Sequence, residues 1–176
     1  IGGDHSVTFP LLKAHAAKYP DITILHIDAH SDLYDDLDGN YHSHASPFAR
    51  IMENGLATRL IQVGIRTLNP HQREQAERFG VEIVSARDFS ADMDFDLTGS
   101  LYLSLDLDAL DPACAPGVSH HEPGGLSVRD VLNLIQNINV PLIGADIVEY
   151  NPIRDLNGMT AAVAVKFMKE ILGNML

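Results

Sequence analysis

Short apolar runs recur along the chain with helix-length spacers between them, and this alternation constrains the fold more than any other feature. Ile22–Ile27 (Ile-Thr-Ile-Leu-His-Ile) reads as a buried strand, and Leu60, Ile61 and Val63 mark a second. Val81–Val84, Leu101–Leu107 and Leu142–Val148 supply three more. The spacers carry helix signals. Ser6 is read as the cap of a helix running to about Tyr19, and Phe48–Asn54 as a helix stopped by Gly55. Asn69-Pro70 opens a helix that Gly80 closes, Ser127 caps one reaching about Ile138, and the last runs Thr160–Leu172. A strand apolar along its whole length is buried on both faces, and strands spaced by helices of about 10–15 residues form a parallel sheet. The expectation is an α/β fold with a mainly parallel sheet covered on both faces, residues 1–176 forming one domain without repeats or linker. A chain of 176 residues buries enough surface to need no disulfide or metal staple for its core.

Acids outnumber bases, 24 to 12, for a net charge of −12. Nucleic acid and anionic membrane surfaces, which require clustered Lys and Arg, are therefore excluded as partners. No apolar run approaches the roughly 18 residues of a membrane helix. A cation is the natural guest. The single cysteine, Cys114, precludes an intramolecular disulfide and points to an intracellular protein. Six of the nine histidines (His5, His15, His26, His30, His42 and His44) fall in the first 44 positions. The chain opens directly on Gly2-Gly3-Asp4-His5, which reads as a sequence lacking its amino-terminal part.

In a parallel sheet, ligands sit outside the carboxyl ends of the strands. Asp28 follows the first strand, Asp106–Asp111 close the fourth, and Glu149 follows the fifth, so the acids gather on one rim. Asp28-Ala29-His30-Ser31-Asp32 alternates acid, imidazole and acid; on extended backbone these side chains would point the same way, roughly 6.6 Å apart at each step. Ser104-Leu105-Asp106-Leu107-Asp108 repeats the device, and His5 adds an imidazole before a helix start. Four carboxylates and two imidazoles cannot all share a rim without a counter-charge. Oxygen and nitrogen donors without thiolate suit a divalent ion such as Mn²⁺. Four negative charges balance two such ions, about 3.5–4 Å apart in a two-metal site, where a bridging water has its pKa lowered toward about 7 and becomes the nucleophile. Taken singly, these acids read as caps, turns or strand-end hydrogen-bond acceptors; the metal reading comes from their convergence. Asp111-Pro112 reads as a turn, Asp4 as a loop or cap residue, and His15 and His26 as structural.

Three stretches carry a resemblance: Gly2-Gly3-Asp4-His5-Ser6, Asp28-Ala29-His30-Ser31-Asp32, and Ser104 through Gly117. In type, spacing and order they resemble the signatures of the ureohydrolases, the family of arginase, agmatinase and formimidoylglutamase, over essentially the whole chain. Gly39–Ser46 and Ser119–Ser127 are most similar to plant-type arginases and their bacterial relatives. The resemblance implies a three-layer α/β/α fold. Family members are longer than this chain, so the amino-terminal part of the sheet is expected to be missing, leaving an exposed edge with His5 anchored only by the helix after it. It also implies that His5, Asp28, Asp32 and Asp106 hold one manganese and Asp28, His30, Asp106 and Asp108 the other, with Asp32 orienting the hydroxide. Glu149 would hold a planar guanidinium, which two carboxylate oxygens can pair with two N–H groups.

The departing amine needs a proton from a histidine near the rim. His44 fits the agmatinase and plant-type pattern and His42 the animal arginase pattern; His44 is preferred. Asn40 and Ser43, with His42, lie where arginases contact the amino-acid end of the substrate. The expected activity is hydrolysis of L-arginine to L-ornithine and urea. Agmatine is the alternative substrate, a non-catalytic metal-binding fragment the alternative class, and a deacetylase-type amide hydrolase a third. The family's habits imply a homo-oligomer, trimer or hexamer, and a location in the cytoplasm, or in mitochondria for a plant protein.

Overall fold

The computed structural model describes every residue from Ile1 to Leu176. Strands β1 (Ile22–Ile27), β2 (Arg59–Ile65), β3 (Glu82–Ser85), β4 (Ser100–Asp106) and β5 (Leu142–Val148) form one sheet in the order β3-β2-β1-β4-β5. All four pairings are parallel, as the uniformly apolar runs predicted. Helices α1 (Thr8–Ala16), α2 (Pro47–Glu53), α3 (Pro70–Phe79), α4 (Val128–Gln136) and α5 (Met159–Met175) cover the faces.

Alternation along each strand divides the core in two. Ile22 and Ile24 of β1 pack with Leu12 of α1, Phe48 and Ile51 of α2 and Ala76 of α3. Leu25 and Ile27 point the other way, onto Val131 and Ile135 of α4 and Phe167 and Ile171 of α5. Each fully buried Leu or Ile contributes on the order of 1.5–3 kcal/mol, which is what holds a helix layer on each face. The result is a three-layer α/β/α arrangement.

The order of the strands positions the site. From β1 the chain winds outward through β2 to β3, then returns past β1 to build β4 and β5 on the other side. The crevice of such a sheet opens where the winding reverses, between the carboxyl ends of β1 and β4. Ile27 is in register with Leu105, so the next residues, Asp28 and Asp106, stand side by side there.

Most helix ends follow their sequence signals; the start and end of α1 do not, and α5 runs on past Leu172 to Met175. Asn69 with Gln72, and Ser127 with Asp130, each form a reciprocal capping box, and Gly80 ends α3 in the left-handed conformation (φ 64°). Ser6 does not cap α1, which begins without a side-chain cap. The Asp4 carboxylate accepts both the amide (3.1 Å) and the hydroxyl (2.5 Å) of Ser6 and caps the short turn before the helix. It opens a tight turn, His5–Val7, that runs into α1, and α1 stops at Ala16, short of Tyr19. Gly2 N–H donates to the Ile147 carbonyl and Glu149 N–H to the Gly3 carbonyl, both at 2.9 Å. His5 is therefore tied to β5 from its amino-terminal side as well as held by α1, contrary to the expectation that the helix alone anchors it.

Candidate metal centre

Asp28 and Asp106 use their two carboxylate oxygens differently. Oδ1 of Asp28 accepts the amide of His30 (2.6 Å), and Oδ1 of Asp106 accepts the amide of Asp108 (2.7 Å). Each acid thus folds the chain after its strand into an Asx-type turn, a local habit of aspartate. The alternating residues are gathered by these turns and by a left-handed residue at Asp32 (φ 51°), not by extended backbone as the spacing had predicted. Oδ2 of each faces the site, that of Asp28 also taking a hydrogen bond from His26.

The Oδ2 atoms converge on one imidazole. Nδ1 of His5 lies 3.1 Å from Asp28, 3.1 Å from Asp32 and 3.2 Å from Asp106, yet it is buried without a hydrogen-bond partner. Nδ1 of His30 lies 3.1 Å from Oδ2 of Asp108 and 3.5 Å from Oδ1 of Asp28. The structure therefore brings His5, Asp28, His30, Asp32, Asp106 and Asp108 together at the crevice. Asp28 and Asp106 face His5, and Asp28 and Asp108 face His30. A buried ring nitrogen with no hydrogen bond, ringed by three carboxylate oxygens, is the donor set of a divalent cation; the residues fit the metal pair that the sequence implied.

Burial and the crowding of charge shift the groups of the cluster away from their ordinary values. Burial, with the Asp108 and Asp28 charges, pushes Asp106 well above the usual carboxylate range. Burial and the Asp28 charge carry Asp108 up to about 7. Burial acts to lower the imidazoles, but the adjacent carboxylates outweigh it: Asp108 and Asp28 raise His30 to about 11, and Asp106, Asp28 and Asp32 raise His5 well above its ordinary value. Asp28 goes the other way: burial raises it, and the combined pull of His26, His30 and His5 lowers it further.

His26, read from sequence as structural, supports the site directly. Its ring stacks on Phe48 (centroids 3.9 Å apart), and its Nε2 lies 2.7 Å from Oδ2 of Asp28. Gln62 Nε2 donates to His26 Nδ1 (3.0 Å) and to the Ser31 carbonyl (2.7 Å). With Nδ1 accepting, Nε2 carries the proton and donates to Asp28. The signal was legible, since His26 lies two residues before Asp28 and so on the same face of β1. Arg66 left no such signal. Its guanidinium donates to the carbonyls of Asp108 (2.8 Å), Ala109 (3.2 Å) and Glu122 (2.6 Å), tying two loops of the rim to β2.

Above the carboxylates a cleft of about 330 Å³ is lined by His30, Asp32, His44, Thr67, Gln72, Asp106, Asp108, His120, Glu122 and Glu149, among others. Glu149 enters it from a left-handed position (φ 63°) directly after β5. A non-glycine residue costs about 1–3 kcal/mol there and persists where its surroundings fix it. Those surroundings are the Gly3 carbonyl on its amide, and the His5 amide donating to its Oε1 (3.0 Å). Burial raises the Glu149 carboxyl. His44 also lines the cleft, its ring stacked on His120 (5.3 Å, 13°). The other loop residues lie elsewhere. His42 is exposed and stacks on Phe9 (5.7 Å), and Asn40 is exposed with its Oδ1 accepting the His42 amide. Ser43 is buried, its hydroxyl 3.1 Å from that of Ser46.

A parallel sheet with paired acids and imidazoles at its winding reversal forms a candidate metal centre, and similarity to known proteins gives the family. The arginase family model matches residues 1–173, and the chain belongs to the arginase family. It is 53% identical to arginase 2, chloroplastic/mitochondrial, of Arabidopsis thaliana, over 99% of this chain and 54% of that protein. The solved arginase of Medicago truncatula superposes with a TM-score of 0.91 at 50% identity, covering 99% of this chain and 57% of that one. N(1)-aminopropylagmatine ureohydrolase of Thermus thermophilus is 40% identical over 94% of this chain and 59% of its own length. The chain spans about half the length of the curated relatives it matches.

Proposed function

We propose that the protein to which this chain belongs is a dimanganese ureohydrolase that cleaves L-arginine to L-ornithine and urea. The observation that carries the proposal is the convergence of three carboxylates on the partnerless Nδ1 of His5, with His30 and Asp108 beside them and Glu149 in the cleft above. His5, Asp28, Asp32 and Asp106 would hold one ion, and Asp28, His30, Asp106 and Asp108 the other. When bound, such a pair makes water a nucleophile near neutral pH and polarises the group under attack.

The chain's own residues supply orientation and protons. Glu149 pairs with the planar guanidinium, which presents the central carbon to the carboxylate cluster. Its Oε1 is already occupied by the His5 amide, which fixes the direction of the carboxylate. Asp32, buried at the crevice beside His5, would orient the attacking water. His44, held against His120, delivers a proton to the departing amine, and its place in the cleft supports it over His42. A homo-oligomeric state, trimer or hexamer, belongs to the same proposal, as does a cytoplasmic or organellar location. The name of the Arabidopsis relative supports the latter, and no helix is long and apolar enough to cross a membrane.

One observation favours a second reading, agmatine as substrate. The cleft lining contains no Lys or Arg to meet a substrate carboxylate, while Glu122 and Glu149 both line it. The deciding experiment is urea release by the full-length, Mn²⁺-loaded protein with L-arginine and agmatine side by side. Urea from arginine supports the proposal. Urea from agmatine alone transfers the same site to the second reading, and urea from neither, with metal bound, overturns both.

A further inference from the structure

One buried acid takes no part in the chemistry above. Asp146, in the middle of β5, is 3% exposed. Its carboxylate is satisfied by three hydroxyls: Thr8 Oγ1 (3.0 Å) and Tyr102 OH (2.8 Å) on Oδ2, and Ser104 Oγ (2.7 Å) on Oδ1. Burying an anion on hydroxyl donors alone is costly, and a well-packed apolar residue would serve the packing of β5 at least as well. The carboxylate therefore needs a reason, and Ser104 supplies it. Ser104 Oγ also lies 2.9 Å from Nε2 of His5, and the register that pairs Ser104 with Asp146 across β4 and β5 holds the three groups in line.

Proton counting gives the line a direction. A carboxylate only accepts, so the single hydroxyl proton of Ser104 goes to Asp146. Ser104 can then only accept from His5, which requires the proton on Nε2 and leaves Nδ1 as the ring nitrogen that can bind a cation. Nδ1 is the atom that faces Asp28, Asp32 and Asp106.

We propose that Asp146 is a positioning residue for the metal centre: through Ser104 it fixes the tautomer and ring orientation of His5 and so keeps Nδ1 available to a divalent cation. The proposal rests on the reading of His5 as a metal ligand. It differs from support by a direct carboxylate–histidine bond, because the acid sits one residue further out, on a neighbouring strand, and acts through a hydroxyl. Thr8 and Tyr102 hold Asp146 in place but are not part of the line to His5.

The test is Mn²⁺ binding to the full-length protein, followed by chelator competition. Wild type binding two equivalents is the reference; if it binds none, the proposed function fails and this inference with it. Asp146→Asn keeps the size of the side chain but places an N–H donor within reach of Ser104, which disrupts the line. The affinity of one equivalent is expected to fall about 10–100-fold, with the other retained. Thr8→Val and Tyr102→Phe, which remove hydroxyls from Asp146 without touching Ser104, are expected to leave both affinities unchanged. If Asp146→Asn fails to fold, Ser104→Ala and Ser104→Thr carry the test, the first losing the same equivalent and the second restoring it. A second readout is proton NMR of the Zn²⁺-loaded protein. A slowly exchanging His5 Nε2–H resonance is expected in wild type and in Thr8→Val, and is expected to be lost in Ser104→Ala. Unchanged affinity in Asp146→Asn alongside a lowered melting temperature, or equal losses of affinity in Thr8→Val, would overturn the proposal and make Asp146 a packing residue.

Discussion

Two histidines in the loop after β1 compete for one role, and their environments separate them. His44 lines the cleft against His120, whereas His42 is exposed on the outer side against Phe9. His44→Ala in the full-length enzyme is expected to lower kcat by about 10²–10⁴, the usual worth of a general acid, while His42→Ala stays near wild type. The reverse order in steady-state kinetics would exchange the assignments. Glu149→Gln keeps the size and the Oε1 acceptor but removes the charge that pairs with a guanidinium. Turnover is expected to collapse with both equivalents of metal retained; metal analysis showing a lost ion would mean that Glu149 belongs to the carboxylate cluster instead. The six converging residues were legible in sequence because five of them lie at or just after strand ends on one rim and His5 precedes a helix; the Asx-type turns that gather them, in place of extended backbone, were not. His120, Gln72 and Thr67 were not legible as cleft residues, since they reach it from three separate loops and helix ends whose meeting depends on sheet order alone.

At the scale of elements, the rim depends on a defect in β2. The pairing of β2 with β3 shifts register between Val63 and Ile65, and Gly64 sits there at φ 96°. A Cβ on Gly64 would stand 2.9 Å from the backbone oxygen of Asp28, at the head of the metal turn. Gly64→Ala is thus expected to strain the backbone by about 1–3 kcal/mol and to push the Asp28 turn outward. The measurable result is a lower melting temperature together with weakened metal binding. A lower melting temperature with unchanged binding would separate the bulge from the site. Capping boxes at α3 and α4 were readable because both partners lie within one helical turn. The start of α1 was misread because Asp4 and Ser6 stand two residues apart and both suit a cap. The Ser6 hydroxyl donates to the Asp4 carboxylate, which caps the His5–Val7 turn, and α1 follows without a side-chain cap of its own. The hold of Gly2 and Gly3 on β5 involves backbone alone and leaves no side-chain pattern to read.

For the whole molecule, the crowding of like charges at the crevice links stability to pH and metal. Asp108 is raised from an unfolded value of about 3.9 to about 7 in the fold. A group whose folded pKa is raised contributes stability in full below its unfolded pKa and loses it as pH climbs through the folded value. Asp106 and His30 are raised too, so their contributions have the same sign, His30 losing its share toward about 11. His26, lowered by burial, opposes them with a gain in stability as pH rises through its unfolded value, one group against several. The depressed acids, Asp28 inside the site and Glu82, Asp111, Asp155 and Glu170 outside it, lose their contributions only as pH falls through the carboxylate range, below this window. The metal-free protein is therefore expected to melt at progressively lower temperature from pH 5 to pH 8. Metal changes the sign, because the ligands whose protons the fold retains, Asp106, Asp108, His5 and His30, must shed them to bind, so affinity rises over the same interval and the bound ions neutralise the carboxylates. Melting curves with and without Mn²⁺ should diverge as pH increases, and a chelator should return the loaded curve to the metal-free one. Parallel curves across pH 5–8 would mean that the acids at the crevice are not compensated by a cation, and the metal assignment would fall with them.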